Sequence, residues 1–299
     1  MEKAESMVKI YKFRELNCKT YDSIENNKIY FSHPSKFNDP FDSHVMSSIK
    51  YESVKDFTDK YINHFYKERL EHEKYFKYKY GVPKNGSKDS QDIDFCGIIN
   101  DSIHYENISL SDIDRFCKSD NGNDLPDNLR NLVNFILRVK IFCASKHYNL
   151  PLMWSLYADG YRGICLEIEV DEEKYKVYEI EYNKDKTTIN LDDSIESIDI
   201  VNQYKYKQKI WGHEEELRIF TFDKDLSERS KAIPLKNGYE LKAIHIGAKA
   251  DIKEVEKQLK KITDVPIYPT NTIYSENGVF IDSEIELESP NLFGSVGLK

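Results

Sequence analysis

The chain has 299 residues and a mass of 35.2 kDa, enough to bury a sizeable core in one large domain or two modest ones. Apolar residues make up 39% and aromatics 13%, with 21 tyrosines, so the core is expected to use large rings that keep a polar handle. A formal net charge of −9 gives no general attraction to a phosphate backbone. No general nucleic-acid binding is therefore expected; a small-molecule nucleotide ligand, or a protein partner or acceptor, fits better.

Cys18, Cys96, Cys117, Cys143 and Cys165 are scattered, with no CxxC pair. That spacing argues against a disulfide framework and a structural zinc site, and it suits a reducing cytoplasm. The opening MEKAESMVKIYKF has no apolar core of signal-peptide length, and no segment approaches a membrane span, so a cytoplasmic protein without membrane contact is expected.

In chain order, MVKIYKFREL reads as a first strand, with Val8, Ile10 and Lys12 opposite Tyr11 and Phe13. TYDSIENNKIYFS gives a short helix and a second strand, and HPSKFNDPFDS a loop held by Pro34 and Pro40. From Glu52 to about Tyr80 the pattern turns helical, with Val54, Phe57, Tyr61 and Phe65 on one face. GVPKNGSKDSQD is a polar loop. Two more helices are predicted near Ser111–Lys118, with Ser111 and Asp114 as its capping signal, and Pro126–Lys140, with Pro126 at its first position. The second half changes character. IFCAS, GICLEIEV, YKVYEIEY, EELRIFTF, LKAIHIG and VPIYP read as short strands, and IESIDIVNQYKYKQK and ADIKEVEKQLKKI as helices. The expected class is α+β: a mostly antiparallel central sheet with marginal helices, in a single domain over 1–299 that carries a helical insertion at about 52–140.

Three stretches carry chemistry. In IWGHEEELRIF, strand alternation puts Glu214, Glu216 and Arg218 on one face and Glu215, Leu217 and Ile219 on the other. Leu217 and Ile219 read as core, so the charged set lines either a solvated face with a cross-strand ion pair or a cleft. Paired carboxylates can orient a hydroxyl and stabilise a developing cation. In LPLMWSLYADGYRGICLEIEV, Trp154 and Tyr157 are either core aromatics or a floor for a planar ring. In the N-terminal stretch, Asn38, Asp39 and Asp42 either close a loop by Asx turns or cover a ligand, with Arg14 offering a fork for phosphate.

These stretches, YKFR…IYFSHPSKFNDPFDS, LMWSLYADGYRGICLEI, KQKIWGHEEELRIF and LKAIHIGAKADIKEVEKQL, together resemble the bacterial domain-of-unknown-function family 2971 over nearly the whole chain outside the helical block. Lys207, Trp211, Glu214, Glu216 and Arg218 match that family's Lys-x3-Trp-x2-Glu-x-Glu-x-Arg strand. The family pattern has a His where this chain has Tyr161, so no histidine mechanism is assigned.

The motif layout is also similar to that of ADP-ribosyltransferases: a basic residue on the first strand, an aromatic or hydroxyl segment in the middle, and Glu-x-Glu on a late strand. That similarity implies an NAD-utilising ADP-ribosyltransferase-like or NAD-glycohydrolase-like effector, with a setting in bacterial stress or phage defence. NAD would be its substrate, with no tightly bound cofactor and no metal. On that implication Glu216, Glu214 and Tyr157 are the catalytic candidates. Arg14, Asn38, Asp39, Asp42, Trp154 and Arg218 are the ligand-binding ones. Two alternatives stay open. One is a non-catalytic sensor or interaction module, in which the charged strand is a buried network fixing sheet register. The other is a metal-dependent nuclease or phosphodiesterase, with Asp39, Asp42, Glu214 and Glu216 as oxygen ligands for Mg²⁺.

Overall fold

The computed structural model describes residues 7–39, 42, 51–65, 95–104, 108–119, 125–182, 197–235, 238–275 and 278–282. The first strand, β1 (Met7–Arg14), is laddered along its whole length to β4 (Ile164–Asp171), from Met7 opposite Asp171 to Arg14 opposite Ile164. On its other side β1 meets β3 (Val139–Ser145) at one position only, Tyr11 opposite Ser145. The same edge of β3 meets β2 (Lys28–Ser32) at one position only, Ser32 opposite Ile141. The far edge of β3 is fully paired with β6 (Glu216–Phe222), from Val139 opposite Phe222 to Ser145 opposite Glu216. The sheet therefore parts between β1 and β2, leaving the middle of one β3 edge without a strand.

Directly opposed residues share a face of the sheet. By that rule Tyr11, Phe13, Ser32, Ile141, Cys143, Ser145, Glu216 and Arg218 all look to one side. The sheet continues from β4 to β8 (Tyr239–Ile246), with a register irregularity between Glu167 and Ile168, and then to β9 (Ile267–Pro269), which runs parallel to β8. The short β5 (Tyr178–Glu179) edges β6, and β7 (Ser230–Pro234) edges β2. A separate hairpin joins β10 (Asn271–Ser275) to β11 (Gly278–Asp282). The architecture is α+β with a mixed, mostly antiparallel sheet.

Helices cover both faces. Ile10, Phe31, Phe142, Ile168 and Ile244 form one core with Ile24 of α1 (Cys18–Glu25). Val255 and Leu259 of a late helix, Ile252–Leu259, close that core. The other core belongs to the helical block: α2 (Tyr51–Phe65), α3 (Phe95–His104), α4 (Leu110–Cys117) and α5 (Asp127–Arg138). Phe57 and Tyr61 are buried and Phe65 is packed at its edge, as their spacing predicts. Leu129, Leu132, Val133 and Ile136 of α5 join Val139 and Ile141 of β3, so the inserted block is a packed layer of the fold. A third, small cluster of Phe13, Met153, Trp154, Ala158 and Cys165 docks α6 (Pro151–Tyr157) on β1 and β4. Among the described residues α7 (Ser197–Gln203) precedes the late helix Ile252–Leu259, which is α8.

Several local readings shift. Ser109, not Ser111, caps α4, accepting from the Asp112 amide at 3.0 Å. Pro126 stands one position earlier, as the cap of α5, and Val139 and Lys140 belong to β3. YKVYEIEY contributes only the two residues of β5. Strands β7, β10 and β11 and helix α3 went unpredicted. The predicted helix beyond Phe65 and the loop GVPKNGSKDSQD lie outside the described residues. Cys18, Cys117, Cys143 and Cys165 are free thiols, and among the described residues no helix is long and apolar enough to cross a membrane.

The link from α6 into β4 is tightly wound. Asp159, Gly160 and Tyr161 all take positive φ, of 47°, 57° and 73°. For a tyrosine this conformation costs about 1–3 kcal/mol. It is offset by the Tyr161 ring stacking on Trp154 at 6.3 Å and by its hydroxyl donating to the Pro151 carbonyl at 3.0 Å. Gly163 then passes so close to β1 that a Cβ there would lie 2.2 Å from the Arg14 carbonyl oxygen and 3.0 Å from Ala158. Both obstacles are backbone. Gly163→Ala is therefore expected to destabilise the fold by at least about 1–3 kcal/mol, the cost of overpacking a close-packed site, read as a lower midpoint in urea with an unchanged slope. A wild-type midpoint would contradict this approach of β4 to β1.

Candidate functional site

A cavity of about 280 Å³ opens where the sheet parts. Its floor is Ile141, Cys143 and Ser145 of β3, one wall is the end of β1, and the opposite wall carries Lys207, Glu214 and Glu216. Tyr157 of α6, Met153, and Phe37 and Asn38 from the loop after β2 close the rim.

Strand alternation does not bring Glu214 here. Lys209–Glu214 is a 3-10 turn, Glu215 takes a left-handed conformation at φ 43°, and β6 begins only at Glu216. The turn nonetheless swings Glu214 back beside Glu216, so the expected grouping of Glu214, Glu216 and Arg218 is met by a different route. Glu215 faces outward, 3.5 Å from His147.

Arg218 is wholly buried. Its Nη2 donates to both Asp42 oxygens, at 2.9 and 2.6 Å, and its Nε to Glu216 Oε1 at 2.6 Å. Nη2 also reaches Glu216 Oε2 at 3.0 Å, and Nη1 donates to the Tyr204 carbonyl at 2.8 Å. The Lys207 ammonium sits among three carboxylates: 2.5 Å from Glu214 Oε2, 3.1 Å from Glu216 Oε2 and 3.3 Å from Asp42 Oδ2. The Tyr157 hydroxyl donates to Glu214 Oε1 at 2.6 Å and accepts from Asn38 Nδ2 at 3.1 Å. The Glu216 amide donates to the Tyr182 hydroxyl at 2.8 Å.

The charge states follow from these contacts. Burial alone would raise the Glu216 carboxyl, but Arg218 and then Lys207 overcome it and hold the group down at about 2. Burial would lower Lys207, yet Glu216, Asp42 and Glu214 drive its pKa above the usual lysine range. The Tyr157 hydroxyl is raised by burial and by Glu214, so it remains a donor at neutral pH. Burial likewise raises the Cys143 thiol, which argues against a thiolate nucleophile. Three carboxylates, Asp42, Glu214 and Glu216, against two cations, Lys207 and Arg218, leave one net negative charge in this network.

The β1 wall is of opposite sign. Lys12 Nζ donates to the Cys143 carbonyl at 2.6 Å, across the gap that no strand fills. Burial lowers the pKa of both Lys12 and Arg14. Among the described residues, the Arg14 guanidinium makes no hydrogen bond or ion pair.

The cavity thus brings together Arg14, Asn38, Asp42, Tyr157, Glu214 and Glu216 of the sequence candidates. Three others stand elsewhere. Trp154 is fully buried, edge-on to Phe13 at 5.3 Å, with Nε1 donating to the Tyr148 carbonyl at 2.6 Å, so it is core and not a ring floor. Arg218 lies beneath the cavity wall, locked in its ion pairs, and is not open to a ligand. Asp39 is buried in the turn, its carbonyl accepting the Asp42 amide at 3.1 Å. Asn38 reaches Tyr157, 119 residues away, with its side-chain amide. Lys12 and Lys207 join the site without having been singled out individually for chemistry. Lys207 had a signal, since it heads the motif that contains both glutamates. Lys12 had none, because its part depends on a gap between strands distant in sequence.

Comparison of the chain with family models, curated proteins and solved structures found no match.

The network makes acid stability testable. Glu216 has its folded pKa depressed from 4.5 to about 2, so the stability it contributes is present above about pH 4.5 and is lost as pH falls toward 2. Urea midpoints across that range should fall for the wild type. Arg218→Met leaves Asp42 and Glu216 buried without their guanidinium and should cost about 3–5 kcal/mol at pH 7, with a shallower acid dependence. A variant as stable as the wild type at neutral pH would mean that the pairs are not what holds this wall.

Proposed function

We propose that the cavity binds the nicotinamide–ribose part of NAD and cleaves its glycosidic bond. This is the chemistry of an ADP-ribosyltransferase or NAD glycohydrolase. The supporting observation is that one cavity is lined by Lys12 and Arg14 of β1, neither in an ion pair among the described residues, and by a net-negative carboxylate network opposite, an arrangement suited to a phosphorylated sugar. A volume of 280 Å³ is at the small end of ligand pockets and suits one ribose with one ring.

In this reading the C1–nitrogen bond of the ribose breaks and the nicotinamide leaves with the bonding pair, as a neutral ring. Positive charge develops on C1 and the ring oxygen. Glu216, ionised at neutral pH and fixed by Arg218 and Lys207, stabilises that charge from a preorganised position. Glu214 and Tyr157, already paired at 2.6 Å, orient a ribose hydroxyl. Water, or a nucleophile on an acceptor, then bonds to C1 through its lone pair and releases its proton to solvent. Arg14 pairs with phosphate. A bacterial effector role in stress or phage defence goes with that activity and rests on the motif likeness to ADP-ribosyltransferases.

One observation favours a second reading. Both oxygens of Glu214 and both of Glu216 already have partners within the protein, the pattern of a lock on sheet register in a non-catalytic binding module. The metal-dependent nuclease is less well supported. Lys207 Nζ occupies the point between the carboxylates where a cation would sit, and among the described residues no group of three or more His, Cys, Asp or Glu could hold a metal ion.

Incubating purified protein with NAD and following nicotinamide by NMR separates these readings. Release is expected, unaffected by EDTA or added magnesium. Glu216→Gln should lower it by about 10²-fold or more, as loss of a preorganised charge does, and Tyr157→Phe by less. Melting curves confirm that each variant is folded. NAD bound without release favours the binding module, and cleavage that requires magnesium would overturn the glycosyl reading.

A further inference from the structure

A buried amine at the start of β3 takes no part in the cavity. Lys140 is wholly removed from water, and among the described residues its Nζ has no hydrogen-bond partner. An ammonium in that condition is poorly tolerated. Burial lowers the Lys140 pKa against the opposing pull of Asp223 and Asp225, which favours the free amine.

Strand alternation sets its surroundings. Lys140 shares a face of β3 with Phe142 and stands opposite Thr221 of β6. Phe142 packs on Phe31 at 5.6 Å, and Lys231 of β7 is opposite Phe31 in the next ladder, so Lys231 lies on the same face. Strands β2 and β3 lie between β7 and β6. The Lys231 ammonium, 3.2 Å from Asp223 just beyond β6, therefore reaches across the end of the sheet where Lys140 begins β3. Arg229 precedes β7, and its carbonyl accepts the His33 amide at 2.7 Å. Its guanidinium has one long contact, 3.4 Å to the Ile108 carbonyl, and no ion pair among the described residues. His33 is buried and neutral, pressed down to about 3 by burial and, less strongly, by Lys140 and Arg229. The neighbouring carboxylates are engaged elsewhere: Asp223 with Lys231, and Asp225 with the Ser227 amide and hydroxyl at 2.9 and 2.6 Å.

A free amine with no partner is a nucleophile. An electrophile able to reach it must be small, uncharged and soluble in an apolar interior, and carbon dioxide is all three. The Nζ lone pair bonds to the carbon, one C–O π pair moves onto oxygen, and the nitrogen releases its proton to solvent. No oxidant or reductant is needed. The product is an anion placed among basic groups, and it gives Arg229 the counter-charge it lacks. We propose that Lys140 is a modification site for carbon dioxide, its amine forming a carbamate that Arg229 and Lys231 hold at the start of β3. This site is independent of the nucleotide reading of the cavity.

Carbon NMR of the protein equilibrated with isotope-labelled bicarbonate at neutral pH tests it. A carbamate carbon is expected in the wild type and none in Lys140→Met. Arg229→Gln keeps the amine and should lower the carbamate fraction about tenfold, the worth of one hydrogen bond to a charged group. Trapping the carbamate with a trialkyloxonium salt and mapping peptides by mass locates it on the wild type, whether or not Lys140→Met folds. Mapping is needed because the α-amino group, with an ordinary pKa of about 7.7–8.0, is also partly free. A trapped carbamate on the Lys140 peptide supports the site. No carbamate carbon, or one mapped only to the α-amino group or to exposed lysines, overturns it. A carbamate as abundant in Arg229→Gln as in the wild type overturns the part given to Arg229.

Discussion

Arg218 is wholly removed from water, and burying an ion costs several kcal/mol unless its partners are well placed. Its partners come from two other places as well as from its own strand: Asp42 from the loop after β2, the Tyr204 carbonyl just beyond α7, and Glu216 two residues back on β6. Satisfying one guanidinium thus draws the N-terminal loop, the late strand and the helical layer to a common point. Lys207 repeats the arrangement one layer nearer the cavity, with Glu214, Glu216 and Asp42 around it. Neither cation could be buried alone, and neither could the carboxylates. The assembly is all or nothing, and it forms one wall of the cavity.

The other wall depends on a missing strand contact. A buried carbonyl without a partner costs about as much as a lost hydrogen bond. Where β1 and β2 each touch β3 at a single position, the Cys143 carbonyl between those positions is left over by the ladder. Lys12 supplies the donor instead, from a side chain that can bridge the opening at 2.6 Å without closing it. A side chain standing in for a strand is what lets a sheet hold a cavity in its own plane. Gly163 acts at the same strand end, letting the α6–β4 link press against the Arg14 carbonyl.

Much of this could be read in advance where short-range rules decide. The alternation of β1, with Ile10 in one core and Phe13 in another, is visible in MVKIYKFR, and the face of α2 in Phe57 and Tyr61. The charged motif was legible as a cluster but not as a geometry. Three glutamates in a row suggest continuous strand, and nothing in them announces that Glu215 will turn left-handed at φ 43° and end a 3-10 turn. Trp154 was ambiguous for the opposite reason, since an aromatic on a short apolar helix looks the same facing a core or a ligand. Its indole donates to Tyr148, six residues away, a bond that only the folded loop creates. Lys12 was invisible because its environment is made by residues 131 positions distant.

The charge in IWGHEEELRIF therefore has a division of labour. Glu215 is outside, near His147. Glu216 and Arg218 spend most of their charge on each other and on Asp42 and Lys207, and that mutual neutralisation makes burial affordable. Glu214 is left at the cavity edge, tied on one oxygen to Lys207 and on the other to Tyr157, a neutral donor. The single uncompensated negative charge of the network consequently leans toward the rim, where Tyr157 and Asn38 meet it, and away from the interior. Across the cavity stand Lys12 and Arg14, neither in an ion pair among the described residues. Such a separation, kept open by a lysine in place of a strand, is unstable toward simple collapse into ion pairs unless the two walls are each braced from behind. Arg218 braces one, and the full-length β1–β4 ladder braces the other.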